Sequence, residues 1–165
     1  MENLNQFNDL IIKKIQYATD FQRIKFGLDI CLRLLPEYKI FNEKTKWGNI
    51  QILLESINYI EKYLETPLLD LEYINKLIIS VESSTPDTED FGDWEGSYAL
   101  NAAGSILELL MYLKDNDPKH IISISTFMTD TIDFKVQQEN VSISEEEIDN
   151  HPLIISEFEY QLKHI

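Results

Sequence analysis

Asp117-Pro118-Lys119-His120-Ile121-Ile122-Ser123-Ile124-Ser125 decides the fold class of this chain. Its isoleucines have β propensity and, taken alone, would make a strand. The opening argues against that. Aspartate is a preferred helix N-cap, and proline is tolerated at the first helical position, where its missing N–H costs nothing. Ile121, Ile124, Phe127, Met128 and Ile132 then recur at helical spacing over a run too long for an ordinary strand. With this stretch assigned as helix, no convincing strand is left.

Outward from it, the apolar period is helical in both directions. Upstream, Phe7, Leu10, Ile11 and Ile15 make one helix face. Thr19-Asp20-Phe21-Gln22 has the form of a capping box for a second helix striped by Ile24, Leu28, Cys31, Leu32 and Leu35. Pro36 is expected to end that helix or to lie just beyond its end. A third helix carries Ile50, Leu53, Leu54, Ile57, Ile60 and Leu64, and Asp70 caps a fourth on Leu71, Ile74, Leu77, Ile78 and Val81. Ser83 to Gly92 reads as a loop. A fifth helix starts near Trp94 and runs through Tyr98, Ala102, Ile106, Leu109, Leu110 and Leu113. Downstream, Ser144-Glu145-Glu146-Glu147 matches a second capping box, and Pro152 precedes a last helix on Leu153, Phe158 and Leu162. The expectation is a single all-α domain over residues 1–165, a bundle of about seven helices, with Trp94, Tyr98, Phe127 and Phe158 in one core.

Length and charge bound what such a bundle does. A chain of 165 residues is long enough to bury a real core. Its formal net charge of −15 is divided unevenly, +2 over residues 1–48 and −17 over residues 49–165. A field of that sign repels nucleic acid and anionic membrane and attracts basic partners over a Debye length of about 8 Å. No apolar run approaches the roughly 18 residues that span a bilayer, and no signal peptide is visible, so a cytoplasmic protein is expected. One cysteine, Cys31, excludes an internal disulfide.

Several blocks of sequence resemble the YjaG family of bacterial proteins of unknown function. They are Phe21-Gln22-Arg23-Ile24-Lys25-Phe26, Cys31-Leu32-Arg33-Leu34-Leu35-Pro36-Glu37-Tyr38, Phe41 with Trp47-Gly48-Asn49, Pro86-Asp87-Thr88-Glu89-Asp90-Phe91, Ala99-Leu100-Asn101-Ala102, and Ser144-Glu145-Glu146-Glu147 with Asn150-His151-Pro152. They run in order over nearly the whole chain. The resemblance implies an all-helical bundle and supplies no activity to carry over. The chain departs from that family in its higher acidity and in ending on a helix at Ile165, where members tend to continue.

The densest candidate site is Glu82 to Glu95, which holds six acids and no base. As a calcium loop starting at Asp87 it fails, because Phe91 and Tyr98 occupy positions that need oxygen ligands. As a solvated loop, its acids favour the N-terminus of the next helix. As a recognition surface, Asp87, Glu89, Asp90, Asp93 and Glu95 would ring the anchors Phe91 and Trp94. His120, His151 and His164 have no zinc spacing. Cys31 lies on an apolar stripe, where a buried hydrophobe is the expected role. Asp130 and Asp133 share a helix face with no second pair placed opposite. Lys13, Lys14, Arg23, Lys25 and Arg33 are interrupted by Asp9, Asp20 and Asp29 and are expected to pair within the chain. The glycines form no phosphate-binding pattern.

The functional expectation is therefore a non-enzymatic acidic module with no cofactor or metal. Its partner would be a basic protein rather than nucleic acid or membrane, most concretely a toxin, such as a nuclease, that an immunity protein neutralises. The alternative is a housekeeping or small-molecule-binding bundle whose charge serves solubility.

Overall fold

The computed structural model describes residues 4–165. Eight helices follow in order among them: α1 (Leu4–Tyr17), α2 (Asp20–Thr45), α3 (Ile50–Glu65), α4 (Leu71–Ser83), α5 (Trp94–Asp115), α6 (Pro118–Glu139), α7 (Glu145–Asp149) and α8 (Pro152–His164). The helix beyond the expected seven is α7, the single short turn that the Ser144 capping box opens.

Local chemistry sets the starts. Thr19 and Gln22 close a capping box on α2, and the carboxylates of Asp70, Asp93 and Asp117 each accept from a first-turn amide of α4, α5 and α6. Each such cap satisfies a backbone donor that the helix itself cannot, a contribution of about 1 kcal/mol.

Pro36 does not stop α2, which continues a further nine residues to Thr45 and closes on Lys46 in the left-handed conformation. The proline removes the donor that would bond the Leu32 carbonyl and costs about 3 kcal/mol in a helix interior. Beyond it, Tyr38 and Phe41 are fully buried. Burying two such side chains stabilises by roughly 1.5–3 kcal/mol each, enough to carry the helix through the break.

α5 lies at the centre, packed against α2, α3, α4 and α6. Ala99, Ala102, Ala103 and Ser105 are wholly buried on it, small residues that let neighbouring backbones approach closely. Ile106, Leu109, Leu110 and Leu113 fill the remaining space against Ile24, Leu34, Ile121 and Ile124 in one continuous cluster. Of the four aromatics expected in the core, Tyr98 and Phe158 are buried, the latter stacked on Phe7 at 4.1 Å. Phe127 packs partly buried against the cluster. Trp94 instead sits half-buried at the start of α5 beside Phe134, 6.1 Å away.

The helices run up and down, which gives the bundle two ends. Asp20 at the start of α2 meets Tyr112 near the end of α5, while Lys44 at the end of α2 meets Glu95 at the start of α5. The α2–α3, α4–α5 and α6–α7–α8 connections therefore share one end with Trp94. The α1–α2, α3–α4 and α5–α6 connections share the other, about 33 Å away along the 22 residues of α5.

Candidate functional site

The α4–α5 loop is built from its own turns. Asp87 Oδ1 accepts from the Glu89 amide at 2.8 Å, and its carbonyl accepts from the Phe91 amide at 2.9 Å. Asp93 Oδ1 accepts from the Gly96 amide at 2.8 Å, so one acid of the loop serves as the helix cap. Asp87, Glu89, Asp90 and Asp93 are exposed. Glu95 is paired with Lys44.

The two aromatics, Phe91 and Trp94, are both partly buried. Phe91 packs edge-on against Phe41 at 5.0 Å and against Trp47 at 5.1 Å, joining the loop to the core. Trp94 covers Phe134 of α6. The carboxylates of this segment are thus displayed while its aromatics hold it in place.

A second acidic segment arrives at the same end. Tyr98 Oη donates to Gln138 at 2.8 Å, which sets the start of α5 beside the end of α6. Exposed Glu139, Glu145, Glu146 and Glu147 follow within a few residues. No Lys or Arg occurs between Lys76 and Lys114, or between Lys135 and Lys163. The antiparallel pairing of α5 with α6 therefore joins two base-free stretches into one anionic end. Lys135 is bonded to Glu37 and lies 5.6 Å over the Tyr98 ring, and Lys44 is held by Glu95, while Lys46 stays exposed at the same end.

Asp130 and Asp133 gain a neighbour that their own helix did not reveal. α7 brings Asp149 beside them around a cavity of about 40 Å³ that Thr129 and Ile148 also line. Burial, and then the charge of Asp133, push the Asp130 carboxyl above its ordinary value. Among the described residues no three His, Cys, Asp or Glu side chains form a group that could hold a metal ion.

Other candidates resolve into packing. Cys31 is buried, and burial pushes its thiol up to about 12, where the thiolate is scarce at neutral pH. Arg33 makes a two-pronged contact with Glu157, and Arg23 pairs with Asp20 at 3.4 Å. Lys14 donates to the Leu162 carbonyl at 2.5 Å. His120 is clasped between Glu108, 2.5 Å from Nδ1, and Asp115, 3.0 Å from Nε2, an arrangement that sequence spacing did not expose. Between α2 and α3 runs a groove of about 670 Å³, floored by Leu32, Leu35, Pro36, Ile50 and Leu54, with Lys39 at its rim.

Fold and site together define an antiparallel helical bundle that displays carboxylates at one end. The family described as "protein of unknown function (DUF416)" matches residues 10–165, and the chain belongs to it. The uncharacterized protein YjaG of Escherichia coli K12 is 24% identical over 151 residues, covering 90% of this chain and 76% of that one. The uncharacterized YjaG of Salmonella typhimurium LT2 matches to the same extent. A crystal structure of a DUF416 family protein from Shewanella baltica OS155 superposes with a TM-score of 0.81 at 24% identity, over 92% of this chain and 80% of that one. That likeness establishes the fold. No helix among the described residues is long and apolar enough to cross a membrane.

Proposed function

We propose that this chain is a non-enzymatic protein-binding module whose acidic end docks a basic partner, as an immunity protein docks the cationic cleft of a toxin. The observation that carries the reading is the convergence of Asp87, Glu89, Asp90 and Asp93 with Glu139 and the Glu145–Glu147 run at one end. Carboxylates gathered in excess over the nearby cations, Lys44 (held by Glu95) and Lys46, focus a field that steers association toward 10⁸–10⁹ M⁻¹s⁻¹ at low salt. A standard interface needs about 800 Å² per partner. That is under a tenth of the 9044 Å² surface, an area one end of the bundle can supply.

Affinity capture from a lysate of the cell that makes the protein tests this. The native chain is compared with a variant carrying Asp87→Asn, Glu89→Gln, Asp90→Asn and Asp93→Asn, in which asparagine still caps α5. A basic protein held by the native chain, lost by the variant and released as salt rises supports the reading. A partner held equally by both, or indifferent to salt, defeats it.

The α2–α3 groove favours a second reading, a small-molecule-binding bundle, because 670 Å³ lies within the range of ligand pockets. A thermal-shift screen of metabolites separates the two, since a ligand that binds only the folded chain raises its Tm. A shift abolished by Leu54→Trp, which fills the groove, favours the ligand reading.

A further inference from the structure

The α2–α3 groove changes character along its length. Leu32, Leu35 and Pro36 come first along α2, and Lys39, Asn42 and Glu43 follow. α3 doubles back after the short 46–49 connection, which sets Ile50 and Gln51 beside the polar half and Leu54 beside the apolar half. Leu32 and Leu54 are among the large apolar side chains left exposed.

Lys39 and Glu43 stand one turn apart on this groove, and neither forms an ion pair among the described residues. Sequence order accounts for that. Glutamate four residues before lysine is the favourable arrangement on a helix, and Glu72–Lys76 has it and closes at 2.8 Å. Lys39–Glu43 runs the other way. Asn42 between them is engaged, its Nδ2 donating to the Trp47 carbonyl at 2.8 Å. The polar half therefore offers one cation and one anion, both open to a ligand.

We propose that the groove binds a short apolar peptide with both termini free, its carboxylate on Lys39, its ammonium on Glu43 and its side chains on Leu32, Leu35 and Leu54. This rests on the reading of the groove as a small-molecule site and names the ligand's chemistry. On a chain of net charge −15 a free anion is repelled, and a lone cation finds denser carboxylate in the 84–93 loop. A zwitterion carries no net charge and gains where opposite charges stand together. Two extended residues span about 7 Å, against about 5–6 Å between side chains one helical turn apart, so a dipeptide presents both its charges at once. Pro36 supplies no N–H to the Leu32 carbonyl, which leaves a backbone acceptor at the apolar half for the peptide's amide.

Amide chemical shifts of the full chain, followed during titration with leucyl-leucine, test the proposal. The expected perturbations fall in residues 32–43 and 50–54 and saturate with a Kd of roughly 0.1–1 mM, ordinary for a ligand of that size. Acetylating the ammonium or amidating the carboxylate weakens binding about two- to fivefold, the worth of an exposed ion pair. Glu43→Gln erases the acetylation loss and Lys39→Met the amidation loss, because the partner of the missing charge is already gone. Leu54→Trp abolishes binding. All three positions are exposed, and circular dichroism is expected to stay unchanged. Blocked peptides that bind as well as the free one, losses indifferent to Lys39→Met and Glu43→Gln, or free leucine that matches the dipeptide overturns the proposal. An uncharged apolar compound that binds instead, and is expelled by Leu54→Trp, overturns it while the small-molecule reading survives. No perturbation with any of these compounds overturns both.

Discussion

Tyr38 and Ser84 are joined across 46 residues of sequence: the buried phenol of Tyr38 donates to the Ser84 carbonyl at 2.5 Å. The same oxygen accepts from the Asn49 amide at 3.2 Å. One hydroxyl thus ties the α2–α3 and α4–α5 connections to α2, fixing where the 84–93 loop leaves the bundle. Gly48, at φ +82°, leaves room for that hydroxyl where any Cβ would collide with it.

Tyr38→Phe removes the hydroxyl and leaves a buried carbonyl and an amide without their partner. The expected loss is about 1–3 kcal/mol, the cost of an orphaned buried polar group. Urea unfolding measures it, and hydrogen exchange at residues 84–93 is expected to quicken before the rest of the chain responds.

Gly96→Ala sets two effects against each other. Alanine in a helix gains about 1 kcal/mol over glycine. Its Cβ would lie 2.8 Å from Phe91 Cβ and even closer to the Phe91 carbonyl oxygen, so the loop backbone must move. Overpacking against backbone costs about 1–3 kcal/mol, and the variant is expected to be less stable despite its better propensity. A raised Tm in Gly96→Ala contradicts the packing of Phe91 described above.

Glu157 is buried on α8 and is held by Arg33 and by Gln161 at 2.9 Å. Removing one side of a buried pair leaves an uncompensated charge, so Glu157→Ala is expected to cost about 3 kcal/mol. Arg33→Met with Glu157→Leu, which removes both charges, is expected to recover most of that loss. Denaturant midpoints of the three chains decide it.

His120 gives the fold a pH dependence of defined sign. Burial alone would lower its pKa, but the bonds to Glu108 and Asp115 outweigh burial and raise it above its ordinary 6.5. A histidine raised on folding stabilises fully below its unfolded pKa and loses that contribution as pH climbs through the folded value. The stability gap between the native chain and His120→Gln is therefore expected to be widest below about pH 6.5 and to narrow above it. Unfolding at several pH values measures the gap; one that widens with rising pH contradicts the clasp.

The caps at Thr19, Asp70, Asp117 and Ser144 were readable in the sequence because each depends on a side chain and an amide two or three residues apart. Pro36 misled for the opposite reason: the burial that carries α2 past it comes from Tyr38 and Phe41 packing against distant helices. The acidic loop was visible, but its continuation into Glu139 and Glu145–Glu147 requires the antiparallel register of α5 and α6, which no local pattern encodes. The directions of Phe91 and Trp94 likewise follow from the turn at Asp87 and from Phe134. The His120 clasp draws on Glu108 and Asp115 at offsets of twelve and five, which match no ligand motif.

Amide chemical shifts in the full chain, followed during titration with a deca-lysine peptide, test the central claim most directly. The account predicts perturbations concentrated in residues 84–95 and 139–149, fading as salt rises and vanishing from 84–95 when Asp87, Glu89, Asp90 and Asp93 are neutralised. Shifts spread evenly over all the helices, or centred on α1 and α2, would contradict a contiguous anionic docking end.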